Sequence, residues 1–114
     1  GTDQDGCIIG CAVDMDNNKI YWHKDGTYYA TSGGTQNPVT AANPITVATG
    51  TNTVGFWFPK LAAGTGSQTF ETNFGNPNFA ISSGNADDNG YGNFEYDVPT
   101  GYYALCTKNL AEYG

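Results

Sequence analysis

The sequence predicts an all-β fold, and three observations carry that prediction. Glycine is abundant, at 16 of 114 residues, and aromatic residues (14%) outnumber charged ones (13%). Such a composition suits short strands joined by many turns. Apolar and polar residues alternate with period two in several short runs, whereas no stretch sustains helical periodicity. The aromatics recur inside those runs, which gives the chain the means to order itself. At this length one domain is expected, with core enough for a single β-sandwich.

Residues 6–29, GCIIGCAVDMDNNKIYWHKDGTYY, organise the rest. Residues 7–13 are an apolar run bounded by Gly6 and Asp14, of strand rather than helix length. Residues 14–18 (DMDNN) are turn chemistry, because Asp and Asn bond their own backbone and tolerate left-handed dihedrals. Residues 19–24 alternate, with Ile20 and Trp22 on one face and Tyr21 and His23 on the other. Lys24-Asp25-Gly26 is the signal of a tight hairpin, after which residues 27–29 resume a strand. The product is a meander whose apolar face calls for a second sheet.

Residues 30–52 carry no charge and hold two Asn-Pro pairs and a Gly-Gly, so a long loop is expected, with a short edge strand at residues 44–48. Residues 53–59 (TVGFWFP) predict the next strand and residues 68–74 (QTFETNF) another, with Phe70, Thr72 and Phe74 on one face. Residues 79–81 pack back beneath it. Residues 82–93 (SSGNADDNGYGN) form a second polar loop, residues 94–96 a brief strand or turn, and residues 102–107 (YYALCT) a final strand. Residues 109–113 have room for one helical turn. No internal repeat is present.

The hairpin resembles the central hairpin of SPRY-type, concanavalin-like β-sandwich domains: an apolar strand, an Asp-containing turn and an aromatic strand ending in Lys-Asp-Gly. The resemblance extends to residues 72–79 (TNFGNPNF) and to residues 98–105 (VPTGYYAL), and covers about three-quarters of the chain. It is nearest to the version found in virion proteins of tailed, notably marine, bacteriophages, where an Asn-Phe-Gly strand, a GYGNFEY segment and a Pro-x-Gly-Tyr-Tyr-Ala-Leu ending occur in this order. The resemblance implies an antiparallel jelly-roll sandwich. In that family further strands precede the position of Gly6, so the chain is expected to be the C-terminal half, or another segment, of a larger domain.

Net charge is −7, with Lys19, Lys24, Lys60 and Lys108 as the only lysines and no arginine. A phosphate backbone is held by clustered Lys and Arg, so nucleic acid is not an expected partner. No apolar run approaches the ~20 residues that span a bilayer, and membrane insertion is not expected. Cys7 and Cys11, four apart in one strand, lie about 13 Å from each other and cannot pair. With Cys106 the count is odd, and the thiols are expected to be small buried hydrophobes in a reduced protein. Their spacing matches no zinc site.

Several constellations invite a chemical reading. Asp14-x-Asp16-x-Asn18 opens like a calcium loop but lacks the following glycine and the distal glutamate, and reads as a hairpin turn. Asp87 and Asp88, with Glu95 and Asp97, concentrate carboxylates that repel one another unless a cation or solvent screens them. Asp87, Asp88 and Asp97 are thus the candidate calcium ligands, although no cofactor and a solvated loop is the first expectation. Glu95-x-Asp97 has nearly the spacing of paired glycosidase carboxylates but lacks the third acidic residue. His23, the only histidine, has no triad partner in view and reads as a hydrogen-bonded or surface residue. Aromatics are the stronger binding signal, since rings stack on sugars and anchor interfaces. Tyr21, Tyr28, Tyr29, Trp57, Tyr91, Tyr102 and Tyr103 are too many for one small core. Trp57, Tyr91, Tyr28 and Asn89 are the candidate ligand-binding residues.

The resemblance therefore implies a non-enzymatic structural or adhesion module of a phage virion, in a tail fibre, baseplate or capsid-surface protein. Its expected partners are other virion proteins or copies of itself, and a host surface glycan or protein reached through exposed loops. The alternatives are an assembly or capsid-decoration module without a ligand, and a glycan-cleaving enzyme.

Overall fold

The first strand of the structure, a computed structural model that describes residues 6–30, 33–48, 57–62, 64 and 66–114, starts where the apolar run begins to alternate. β1 (Ile9–Asp14) pairs antiparallel with β2 (Lys19–Lys24), in a register that sets Ile9 opposite Lys24, Cys11 opposite Trp22 and Asp14 opposite Lys19. The turn between them is closed by Asp14, which accepts from the Asn17 backbone N–H at 3.0 Å and side-chain amide at 2.8 Å. Asn18 takes the left-handed conformation there (φ 56°). At the other end of β2, Asp25 and Gly26 both have positive φ (48° and 79°), as a type I′ hairpin requires. β3 (Thr27–Tyr28) follows and pairs with β2 through His23 and Lys24.

The second edge of β2 is finished in three pieces. β3 covers one end, and β4 (Ile45–Thr46) pairs with Lys19 and Ile20 at the other. The buried side-chain amide of Gln36 fills the middle: its Oε1 accepts from the Trp22 N–H at 2.7 Å, and its Nε2 donates to the Asn43 carbonyl at 3.1 Å. A buried backbone donor left unpaired is costly, so this one glutamine does the work of a missing stretch of strand. The described fold is an antiparallel four-stranded sheet with one short helix, α1 (Thr107–Tyr113).

Alternation along the sheet separates two faces. Ala12 and Tyr21 are buried on the inner one, where the rim of Tyr102 meets Tyr21 edge-on with ring centroids 6.4 Å apart. Ala104 completes the buried apolar core among the described residues. Of the seven aromatics too numerous for one small core, Tyr21 is the one at its centre. On the outer face Ile9, Cys11, Val13 and Trp22 are exposed. All three cysteines are free, but Cys11 lies at the surface and Cys7 and Cys106 are half-buried, so the expectation of buried thiols is corrected.

The edge strand expected within residues 44–48 is β4, and the helical turn expected at residues 109–113 is the end of α1. Three further strands were expected. Of residues 53–59, the first four lie outside the described residues, and residues 57–59 form no strand. Residues 68–74 alternate in sequence but pair with no neighbour, and Phe70 and Phe74 are exposed. Alternation creates a strand only where another strand accepts its hydrogen bonds. Here Asn73 serves the backbone instead, donating to the Asn93 carbonyl and accepting from the Gly75 N–H. Residues 102–107 likewise form no strand, because side chains take the ladder's place: the Ala104 N–H donates to Asp87 and the Ala104 carbonyl accepts from Asn109.

Candidate functional site

The type I′ turn brings the β2–β3 hairpin against residues 94–99, and the residue types at the turn make that approach possible. A Cβ on Gly26 would stand 2.7 Å from the Tyr96 ring, and one on Gly10, opposite His23 in the sheet, would overlap the His23 imidazole. The His23 ring therefore lies over the Gly10 backbone. It is edge-on to Tyr28 (centroids 5.1 Å apart) and to Tyr96 (5.6 Å). Its Nδ1 accepts from the Gly26 N–H at 3.2 Å, which fixes that nitrogen as an acceptor and the ring as neutral. Burial lowers the His23 pKa below the ordinary histidine value, against the opposing pull of Asp25. Burial also raises that of Tyr28.

A third wall comes from residues 36–39. Asn37 bridges to Ala42, and its Oδ1 accepts from the N–H groups of Val39 (2.9 Å) and Thr40 (3.1 Å), an Asx turn that holds Pro38 and Val39 in place. The Tyr102 hydroxyl ties this wall to the core by donating to the Pro38 carbonyl at 3.4 Å. Between the three walls lies an open cleft of about 330 Å³, lined by His23, Tyr28, Asn37, Tyr96 and Asp97 among others. The carboxylate of Asp97 and the hydroxyls of Tyr28 and Tyr96 make no hydrogen bond among the described residues. They are available to a ligand.

Of the residues singled out from sequence, Tyr28 and Asp97 meet in this cleft. Trp57 is exposed elsewhere. Tyr91 and Asn89 belong to a second assembly, centred on Asp87. The Asp87 Oδ1 accepts from the backbone N–H groups of Asn89 (3.0 Å) and Tyr91 (2.9 Å). Its Oδ2 accepts from the Ala104 N–H (2.8 Å) and the Asn109 amide (2.7 Å). Asn89 in turn donates to Asn109 at 2.9 Å, and Tyr91 donates to Glu112 at 2.8 Å with Lys108 Nζ 4.6 Å from its ring centroid. Burial alone raises the Asp87 pKa, but the four N–H donors outweigh it and the carboxyl stays below its usual range. The 82–93 loop is largely exposed, as expected, but it is ordered by a hub around the buried carboxylate of Asp87.

The three proposed calcium ligands are not brought together. Asp87 uses the four acceptor sites of its carboxylate on N–H donors, Asp88 accepts from the Gly101 N–H, and Asp97 lies in the cleft. Among the described residues no three of His, Cys, Asp and Glu are grouped to hold a metal ion. Nor do Glu95 and Asp97 share a site. Glu95 accepts from the Ser82 N–H and from the hydroxyls of Ser82 and Ser83, clamping the 82–83 bend to residue 95. Sequence reasoning missed His23, Asn37 and Tyr96 as site residues. Their signals were the glycine opposite His23, the Asn-Pro pair at 37–38, and an aromatic between two acids.

In comparisons with known proteins, no family model, no curated protein and no solved structure matches the chain.

Proposed function

We propose that the chain is a non-enzymatic binding module, and that the cleft between the β2–β3 hairpin, residues 36–39 and residues 96–99 receives its ligand. The observation that carries this reading is the convergence of Tyr28, Tyr96 and Asp97 with their polar groups unengaged. Two rings and a few polar groups in a preformed concavity are the usual means of holding a sugar or a peptide side chain. The resemblance to phage virion domains supports a position on a particle surface or tail and a host surface glycan as the ligand. A glycan-array screen of the chain and its Tyr96→Ala variant tests this. Saccharide binding that the variant loses, with its thermal unfolding still cooperative, is expected. Binding that the variant retains contradicts the assignment.

The outer sheet face favours a second, compatible role in assembly. Ile9, Val13 and Trp22 are 58%, 45% and 42% exposed side by side, and β1 pairs only with β2 among the described residues. A contiguous apolar face beside a strand edge that is unpaired among the described residues supports a docking surface. A layer laid on it, by another virion protein or another copy, would complete the sandwich that the resemblance implies. Replacing Val13 and Trp22 with Lys and Thr then abolishes self-association or incorporation into particles; unchanged incorporation contradicts it.

A further inference from the structure

We propose that the cleft selects a cationic sugar: an amino sugar presenting a protonated amine to Asp97 and the tyrosine rings. This rests on reading the cleft as a ligand site and adds the charge of the ligand. Asp97 is exposed, lines the cleft and makes no hydrogen bond among the described residues, so its charge is not already compensated. No lysine stands among the described lining residues, and His23 is held neutral by the bond its Nδ1 accepts. The cleft thus offers one negative charge beside two π systems, Tyr28 and Tyr96, and both features attract a cation. The net charge of −7 extends that attraction over the whole surface.

The remaining groups fit the rest of a sugar. The hydroxyls of Tyr28 and Tyr96 donate or accept, and the side-chain amide nitrogen of Asn37, whose oxygen is already used, has donors for a ring hydroxyl. A lysine side chain presents the same ammonium but leaves these groups unused. That difference favours the sugar.

The test compares a β-1,4-glucosamine oligomer with its N-acetylated counterpart and with an Nα-acetyl-lysine amide, by calorimetry at low salt and slightly acidic pH. The amine oligomer is expected to bind at least about fivefold more tightly than the acetylated one. Asp97→Asn is expected to erase that preference, and added salt to narrow it. Equal or tighter binding of the acetylated oligomer overturns the inference, as does a preference that survives Asp97→Asn. Lysine amide binding as tightly as the amino sugar overturns the assignment to a sugar. If the acetylated oligomer binds and Tyr96→Ala abolishes that binding, the ligand site stands and only its charge selectivity falls. If no oligomer binds and Tyr96→Ala leaves host attachment unchanged, both fall.

Discussion

At the scale of single residues, the molecule depends on a few polar side chains that stand in for backbone partners. Asp87 is the extreme case, since removing its carboxylate strands buried N–H groups of Ala104 and Asn109 together with those of Asn89 and Tyr91. Each stranded buried group costs about 1–3 kcal/mol, so Asp87→Ala is expected to lose about 3 kcal/mol or more in denaturant unfolding. A loss under about 1 kcal/mol would show that the hub is not structural. Because its acceptor sites are filled by N–H groups, a chelator is expected to leave the thermal midpoint of the wild-type chain unchanged; a clear drop with chelator would show a bound cation. Protonation has a definite sign at two residues. The folded-state pKa is lowered for both Asp87 and His23, so the stability each supplies is present above its unfolded value and lost as pH falls through the folded one. The His23 step begins below about pH 6.5 and the Asp87 step below about pH 3.9. Stability measured against pH is expected to decline in that order, and His23→Gln to remove the first decline alone.

At the scale of elements, the hairpin, β4 and the helical turn within α1 were legible in the sequence, and the path of residues 68–107 was not. Period-two alternation and the Asp-Gly turn specify β1, β2 and β3 locally, because their partners are next in the chain. Residues 68–74 alternate as well and residues 102–107 are a β-prone apolar run, yet whether either becomes a strand depends on a distant partner that local sequence cannot name. Asp87 and Asn109, 22 residues apart, supply the bonds around Ala104 that a ladder otherwise would, and nothing in their local sequence announces it. The site was half legible for the same reason. Tyr28 and Asp97 are conspicuous as an aromatic on a hairpin and an acid in an acidic stretch, whereas His23 and Tyr96 gain their place only from the glycines across from them. Gly10→Ala is accordingly expected to destabilise by about 1–3 kcal/mol through overpacking against His23. Gln36→Ala is expected to cost about as much by uncovering the Trp22 N–H, and hydrogen exchange at Trp22 should accelerate with it.

At the scale of the whole molecule, one face of the sheet is covered by the chain's own C-terminal half and the other is apolar and open. The cleft lies where the hairpin end of the covered face meets residues 94–99, so the proposed binding and docking roles use different surfaces and are compatible with each other. Variants of the outer face are expected to change association while leaving saccharide binding intact, and variants of the cleft the reverse. A nitrogen-15 chemical-shift titration of the chain with a saccharide that it binds shows most directly whether the cleft is the ligand site. The largest shifts are expected to cluster at Gly26, Tyr28, Asn37, Val39, Tyr96 and Asp97. Shifts concentrated instead at Asn89, Tyr91 and α1, or spread over the outer sheet face, would contradict it.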